Sequence, residues 1–434
     1  MDLHQWIFEK HTVICLTNTI VSLFPTVARC CSFVKNFSME QTTKNSGSFS
    51  KIMLPLCGMV FCSYIAIGIS LGILPFFLHN NLHCNNLILG IVVGMQSLAT
   101  LFTRKRAGYI ADIKGVKPSV RYGTITLIAT SIAYIGAVLL SSSIVTSLAL
   151  IIVARILLGA SESLQITGAL SWGIGRAGQQ NSGKVMSWNG IAMYGGMAAG
   201  APIGILLQQH FGILTAFASI IVLSIIGWLA VANLQTPPLH KAEKPRSSFG
   251  KVILQIARYG FGLSFSAIAF SCLVAFITLF FQQKGWTNAS LAITLFGVSY
   301  IGVRLFFSSY TNRYGGNKVA AMSLLIQLVG QLLLWYAAIP AMAFVGAVLT
   351  GIGFSLIFPA FGVEAVKAIA PQMRGTALGA YAAFFDVALA ITSPIAGIVA
   401  NSFGYQNVFA LGALGTIISI VIAVVSIRQT KTDI

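Results

Sequence analysis

The chain has 434 residues, of which 56% are apolar and only 8% are charged. Soluble domains are about one-quarter charged, and a soluble fold could not hide this much apolar surface from water. The net charge of +18 is spread thinly between apolar runs, which argues against nucleic-acid binding. Seven cysteines without a CxxC pair exclude a disulfide-stapled secreted fold. The composition predicts a membrane protein with many spans.

Twelve apolar runs, each able to cross a hydrocarbon core of about 30 Å, follow one another along the chain. They predict an all-α membrane protein with twelve transmembrane helices in two six-helix bundles. The predicted helices are 52–78, 86–103, 119–141, 145–172, 184–208, 212–234, 253–283, 289–309, 318–338, 341–366, 376–401 and 405–427.

One connection differs in composition from the others. Residues 235–252, QTPPLHKAEKPRSSFGKV, hold three prolines and five charges. They predict a cytoplasmic linker between an N-terminal bundle, 52–234, and a C-terminal bundle, 253–427, with a cytoplasmic tail at 428–434.

Basic residues are concentrated in every second connection. This asymmetry places those connections in the cytoplasm, together with both termini, and predicts a multi-pass protein of the bacterial inner membrane. The opposite connections carry Lys284 and almost no other charge. The inner residues are Arg104, Lys105, Arg106, Lys114, Lys117, Arg121, Arg176, Lys184, Lys241, Lys244, Arg246, Lys251, Arg313, Lys318, Lys367 and Arg374.

The two halves also repeat each other. Matching residues recur at offsets of 200 and then 192 residues, which indicates duplication. Such a repeat predicts bundles related by a pseudo-twofold axis along the membrane normal, with a substrate cavity between them. The pairs are Arg104 and Arg304, Asp112 and Asn312, Gly115 and Gly315, Gly159 and Gly351, Gly183 and Gly375, Pro202 and Pro394, and Gly212 and Gly404.

The N-terminal extension, residues 1–51, does not fit this plan. Its apolar stretch, 12–28, is broken by polar residues and is followed by Arg29, Cys30 and Cys31, with no small-residue cleavage site. A thirteenth helix would reverse the charge bias. Two interpretations stay open: translation starting at Met39, or an interfacial or disordered extension.

The segment from Gly108 to Lys117 has the pattern GxxxDxxGxK and resembles the signature of the major facilitator superfamily. Gly108 would allow close helix approach, Asp112 would accept hydrogen bonds, and Gly115 would form a turn. The resemblance covers 52–427. It implies the major facilitator fold and secondary transport by alternating access. The implied partners are a small-molecule substrate, protons and the lipid bilayer; we expect a monomer without a cofactor.

Arg155 and Gly159 in the fourth predicted helix resemble the RxxxG motif of the same superfamily. Glu162 follows on the same helical face, about 10 Å from Arg155 along the axis and too far for a direct bond. Charges deep in a membrane are costly and often functional. We predict that Arg155 and Glu162 take part in proton coupling; the alternative is two structural charges satisfied by neighbouring helices.

The fifth helix, from Trp188 to Gly204, resembles the glycine-dense antiporter motif of superfamily exporters. It departs from that motif by Ala201 between Gly200 and Pro202. Small residues permit close packing and proline bends a helix, so these positions predict a conformational switch; general helix packing is the alternative.

A neighbouring stretch narrows the resemblance. Residues 183–195, together with Glu162 and Thr167, resemble the YhhS-like bacterial branch of the superfamily, a sugar- and drug-efflux branch. This resemblance implies efflux without naming a cargo.

Asp386, in the eleventh helix, is the most isolated acid of the spans. A carboxyl group in an apolar span can bind and release a proton during a transport cycle, so Asp386 is the main proton-coupling candidate. Glu364 and Lys367 predict a surface salt bridge, and Arg304 is expected to extend to the membrane surface. Polar or adaptable groups in the helix middles are the substrate-binding candidates: Tyr64, Gln165, Asn189 and Met193.

Other motifs carry little weight. The GxGxxG pattern at 173–178 ends a membrane helix and follows no strand, so it does not indicate dinucleotide binding. The sequence has no Walker motif, so we do not expect ATP to be the energy source. His79, His83 and Cys84 lack a fourth ligand, so we predict no metal site.

Three classes of function remain: an exporter, an importer or uniporter, and a membrane enzyme or sensor. We predict proton-coupled efflux, by antiport, of a small organic molecule such as a sugar or drug. The alternative is a proton-coupled importer or a uniporter of a small metabolite. The sequence has no cluster of catalytic residue types, so we do not predict an enzyme.

Overall fold

The computed structural model describes residues 46–178, 181–237, 249–307, 310–367, 369 and 374–432. The chain divides into two compact units, 1–52 and 53–434, and the described part of the first is helical. The expectation for residues before Met39 and most of the predicted linker lie outside these ranges.

Twelve helices in the described ranges are long and apolar enough to cross a membrane, which confirms the predicted number. We number them α1 to α12 in chain order. They are α1 Ser46–Phe76, α2 Asn86–Tyr109, α3 Val116–Leu139, α4 Ile144–Ala177, α5 Ser182–Phe211, α6 Ile213–Ala232, α7 Phe249–Gln283, α8 Ala289–Phe307, α9 Gly316–Trp335, α10 Pro340–Lys367, α11 Arg374–Phe403 and α12 Tyr405–Thr432.

The largest error in the predicted helix ends is in the second helix. It was expected to stop at residue 103, but α2 continues to Tyr109 and then as a π-helical turn over Ile110–Lys114. Basic residues interrupt the apolar run there, but lysine and arginine are good helix formers. The helix therefore continues beyond the end of the apolar run.

Glycines with left-handed backbone angles mark equivalent turns in the two halves. Gly115 and Gly315 precede α3 and α9 with φ of 101° and 86°. Gly212 and Gly404 precede α6 and α12 with φ of 84° and 87°. A side chain is disfavoured at such angles, so these glycines are required by the turns themselves.

The helix contacts repeat in the same way. Helix α2 packs on α4 and α3 on α6, just as α8 packs on α10 and α9 on α12. Between the halves, α2 packs on α11 and α5 packs on α8. Replacing each helix by its counterpart six helices away turns one of these two contacts into the other. This is the two-bundle arrangement; the residue boundaries of the bundles stay a prediction.

Helices α1 and α7 hold equivalent, enclosed places. Buried residues make up 61% of the most apolar window of α1 and 83% of that of α7, against 28% for α6. Helix α1 packs backbone to backbone on α5, where a methyl group on Gly68 would lie 2.9 Å from Gly200 Cα. Because α1 and α7 are central, both face the space between the halves.

Candidate functional site

A central cavity lies between the halves. It is lined by α1, α2, α4 and α5 of the first half and by α7 and α11 of the second. Polar groups are set in a largely apolar and aromatic wall, among them Tyr64, Gln96, Ser97, Thr100, Ser271 and Ser393.

Glu162 on α4 faces this cavity and is held by uncharged donors. Tyr64 Oη donates to Glu162 Oε1 at 2.7 Å, and Gln96 Nε2 donates to Oε2 at 2.7 Å. Thr100 Oγ1 adds a longer bond of 3.4 Å to Oε2. These donors from α1 and α2 partly replace water around the carboxylate without neutralising it.

Arg155, also on α4, is bonded to a neighbouring helix, as the structural alternative expects. Its side chain is buried, and Nε and Nη2 donate to the backbone oxygens of Val92 and Val93 at 3.2 and 3.0 Å. Ser70 Oγ accepts a third bond from Nη1. No bond joins Arg155 to Glu162, because α2 lies against both. Arg155 fastens α2 to α4 and also lines the cavity, and its part in proton coupling stays a prediction.

Asp386 on α11 is not isolated, contrary to the sequence prediction. Nε and Nη2 of Arg104, on α2, donate to Asp386 Oδ2 at 2.9 and 2.6 Å. The Asp386 side chain is 7% exposed and that of Arg104 is 27% exposed. Asp386 also lines the cavity. The ion pair therefore joins the two halves at the cavity wall.

The second interface, between α5 and α8, contains a buried arginine. Arg304 was expected at the membrane surface, but it is only 7% exposed, and its Nη1 donates to Tyr300 Oη. The Tyr300 ring lies 3.9 Å, centroid to centroid, from the ring of Tyr194, which lines the cavity. Within the described ranges, no carboxylate forms an ion pair with Arg304.

The offsets of the repeat relate these two groups to each other. Arg104 and Arg304 are 200 residues apart, and Tyr194 and Asp386 are 192 residues apart. The Arg104–Asp386 ion pair thus corresponds to Arg304 and Tyr194, with a tyrosine in place of the aspartate.

A second pair of contacts follows the same offsets. A methyl group on Gly94 of α2 would lie 2.8 Å from the Ala390 oxygen of α11. At the equivalent place, Thr294 Oγ1 of α8 donates to the Ala198 oxygen of α5 at 3.0 Å. The two interfaces are therefore one contact built twice, and only one of them contains a carboxylate.

The predicted substrate-binding residues separate into two groups. Tyr64 and Met193 line the central cavity, whereas Gln165 and Asn189 do not. The Gln165 amide is buried within the first half, where its Nε2 donates to Ser161 Oγ at 3.1 Å. Asn189 Nδ2 donates to Met193 Sδ at 3.2 Å. Gln165 and Asn189 can thus affect the cavity only through neighbouring side chains.

The signature between α2 and α3 also needs correction. A methyl group on Gly108 would meet no atom within 4 Å, so no helix approaches closely there. Asp112 is exposed and, among the residues the structure describes, has neither a hydrogen bond nor an ion pair. Lys117 Nζ donates to the Ala232 oxygen at 2.5 Å, which caps the C-terminal end of α6. In this conformation the signature fastens α6 and leaves Asp112 without a partner.

The predicted switch in α5 lies against α1. Pro202 is inside α5, and a methyl group on Gly200 would lie 2.9 Å from the backbone of Gly68. Gly200 is therefore used for close packing within the first half, whereas Ala198 packs on α8.

Two residues beside Glu162 were missed by sequence reasoning. Gln96 and Thr100 are four residues apart, so they share one face of α2. A polar pair with that spacing in an apolar span is the signal that could have identified them.

Comparison with known proteins is consistent with this geometry. The family model described as Major Facilitator Superfamily matches residues 56–292 and 259–434. A protein of Pseudomonas aeruginosa (strain UCBPP-PA14), named an uncharacterized MFS-type transporter, is 42% identical over 372 residues, covering 86% of this chain and 92% of that protein. One of Burkholderia mallei (strain SAVP1), with the same description, is 38% identical over 374 residues, covering 86% and 91%.

Two solved structures share the fold at low sequence identity. The human organic anion transporter MFSD10 is 14% identical with a TM-score of 0.63, and the nucleoside transporter NupG is 15% identical with a TM-score of 0.64. Each comparison covers 86% of this chain and 99% of the solved chain. At these identities the likeness extends to the fold alone. The relatives named above do not carry the YhhS-like branch name, so that branch stays a prediction.

Proposed function

This chain belongs to the major facilitator superfamily, whose members are transporters and not enzymes, and we propose that it exports a small organic molecule, such as a sugar or drug, in exchange for protons. It would act as a monomer in a bacterial inner membrane, with both termini in the cytoplasm. One observation carries the proposal. The Arg104–Asp386 ion pair joins the two halves beside the cavity, and one of its members can bind a proton.

A proton at Asp386 would remove the charge that holds Arg104. Charge-assisted hydrogen bonds are stronger than neutral ones, so protonation weakens the contact between α2 and α11. In our proposal the ion pair holds the empty, deprotonated transporter in one conformation. Either a proton or a bound substrate breaks the pair and allows the halves to move. This rule couples the two fluxes, because the carrier cannot return empty.

The direction of opening follows from the predicted topology. Helix α2 begins, and α11 ends, at the outer face. Gly94, near the start of α2, packs on α11, and a methyl group on Gly397, near the end of α11, would lie 3.0 Å from Leu87 Cα. In that topology these backbone contacts close the outer end of the cavity. The ion pair then belongs to a state that is closed at its outer end.

Glu162 is proposed to bind substrate. Its carboxylate faces the cavity, has only neutral donors around it and has no cation paired with it among the described contacts. It can accept hydrogen bonds from hydroxyl or amine groups of a ligand. The likeness of α5 to the antiporter motif favours export over import as the direction.

Inverted membrane vesicles with an acidic interior test the proposal. With a panel of labelled sugars and drugs, the wild-type chain should accumulate substrate inside the vesicles only while the pH gradient persists. Asp386→Asn should abolish accumulation, while exchange of labelled for unlabelled substrate without a gradient survives. Glu162→Gln should mainly raise the apparent KM.

Glu364→Gln is the matched control. Glu364 belongs to the other described salt bridge, with Lys367 at 2.9 Å, as the sequence predicted, and it does not line the cavity. Its accumulation should equal that of the wild type. Gradient-driven accumulation in Asp386→Asn would refute the proposed coupling. Accumulation only in right-side-out vesicles would identify an importer, and transport indifferent to the gradient would identify a uniporter.

A further inference from the structure

Arg304 is a buried cation without a counterion among the described residues. The other two arginines of these helices have more partners: Arg104 is paired with Asp386, and Arg155, which lines the cavity, donates to two backbone oxygens and to the Ser70 hydroxyl. The described polar bond of Arg304 is to the neutral Tyr300 hydroxyl. A charge held inside a membrane protein in this way is costly and indicates a ligand or pathway.

The place where a counterion would enter is defined by the repeat. Asp386 lines the cavity and reaches Arg104, which stands behind it. Its equivalent, Tyr194, also lines the cavity and supplies no charge; its ring contacts that of Tyr300, which bonds Arg304, and Arg304 itself does not line the cavity. An acid group that enters from the cavity beside Tyr194 would form an ion pair with Arg304 equivalent to the pair between Asp386 and Arg104.

We propose that Arg304 is the binding subsite for a carboxylate group of the transported molecule. The substrate would thus supply, at the α5–α8 interface, the group that the chain itself supplies at the α2–α11 interface. A guanidinium binds a carboxylate through two donors, which makes the pairing directional as well as strong. This inference rests on the proposed transport function, because it names the class of substrate.

The aromatic residues of the cavity wall indicate the chemistry of the rest of the substrate. The rings of Phe270 and Phe354 stack at 5.2 Å between centroids, and Phe385 lies 6.1 Å from Phe270. Tyr194 meets Phe270 edge to face at 5.8 Å. Phe270, Phe385 and Tyr194 line the cavity and offer aromatic surface to a ligand inside it. An aromatic carboxylic acid matches both features, since rings prefer stacked or edge-to-face contacts.

Ligand binding to the purified full-length protein tests the proposal without requiring transport. The probes are phenylacetate and 1-naphthylacetate, each compared with its amide and with the corresponding amine. Binding is followed by the shift of the thermal unfolding midpoint with probe concentration. The carboxylates should bind about tenfold or more tightly than the amides and amines, because only they pair with the guanidinium.

Three variants locate the effect. Arg304→Gln should remove the preference for carboxylates, and Arg304→Lys should retain part of it because the charge remains. Arg258→Gln is the matched control; that arginine, on α7, bonds Gln429 and the Tyr259 hydroxyl and does not line the cavity. It should keep the full preference.

The outcomes separate this inference from the proposed function. A wild-type chain with no preference for carboxylates, or an Arg304→Gln chain that unfolds cooperatively yet keeps the preference, would overturn the carboxylate subsite. Proton-driven transport of neutral compounds that Arg304→Gln does not change would also overturn the carboxylate subsite. It would leave the proposed proton antiport unaffected. Conversely, a preference that depends on Arg304 in a protein indifferent to pH gradients would support the subsite and refute antiport.

Discussion

The two interfaces between the halves differ in one functional group. The α2–α11 interface holds Arg104 against Asp386, and the α5–α8 interface holds Arg304 against Tyr300 and Tyr194. Duplication built both from one pattern, with an arginine at the same place in each. One interface therefore has a counterion from the chain itself, and among the described residues the other has none.

In our proposal, this difference gives each interface its own trigger. An ion pair within the chain responds to protons, because protonation of the acid removes the attraction. An unpaired arginine responds to an acidic ligand, because the ligand completes the pair. A transporter that couples a proton to a substrate needs both responses, and a symmetric pair of interfaces would provide only one of them.

The most direct way to remove the difference between the two interfaces is to introduce a carboxylate at the α5–α8 interface. Tyr194→Asp should create an ion pair with Arg304 that mimics the one at Asp386. A hydrogen bond involving a charged group contributes about 1.5–3 kcal/mol, so transport should slow by about tenfold to a hundredfold. Initial rates of gradient-driven accumulation in inverted vesicles measure the effect.

Tyr194→Asn is its control, because it removes the same ring but adds no charge. The difference between the aspartate and asparagine variants isolates the ion pair from lost ring packing. Equal rates for the two variants would show that no new pair forms, and the equivalence of the interfaces would fail.

A smaller effect is expected from forcing the α2–α11 interface apart. A methyl group on Gly90 would lie 2.9 Å from Pro394 Cα and would also meet the Ser393 oxygen, and this backbone cannot move aside alone. Overpacking costs about 1–3 kcal/mol, so Gly90→Ala should favour the state open to the outside. A Ser97→Cys chain should then label faster with a membrane-impermeant thiol reagent applied outside.

Gly58→Ala provides the comparison, since a methyl group there meets no atom within 4 Å. Both glycines are inside helices, where alanine is intrinsically better by about 1 kcal/mol, so this contribution cancels. Faster labelling in both variants would mean that helix propensity, and not the interface, controls opening.

The smallest effect is expected at the inner turn. Asp112 is exposed and has no described partner in this conformation, so any contact it makes belongs to the other state. Exposed ion pairs contribute about 0–1 kcal/mol. Asp112→Asn should therefore keep expression and slow steady transport by no more than about fivefold. Transport at the wild-type rate under a standing gradient would remove Asp112 from the switching mechanism.

Much of the fold could be predicted from the sequence, because its signals are local or repeated. Apolar runs gave the twelve helices, and the repeated Gly115 and Gly315 occupy equivalent turns with positive φ. The match of Arg104 with Arg304 was also visible in the sequence, but the sequence did not show which residues each arginine contacts. A repeat shows that two places are equivalent, but not which neighbours each of them meets.

The site was less predictable for that reason. Asp386 was identified as an important acid, but its partner is 282 residues away on a helix of the other half. Gln165 and Glu162 lie on one helix three residues apart, and only packing decides that one faces serines and the other the cavity. Gly108 matched a family pattern that implied close contact, yet it faces open space.

The central claim is that the Arg104–Asp386 pair prevents the empty transporter from carrying protons alone. Liposomes containing the purified protein, an internal pH dye and no substrate test it directly. The wild-type chain should hold an imposed pH gradient, and Arg104→Gln should dissipate it, because Asp386 still binds protons but no longer locks the empty state. The double variant Arg104→Gln, Asp386→Asn should hold the gradient again. An Arg104→Gln chain as tight as the wild type, or a double variant that leaks as fast as the single one, would contradict the account.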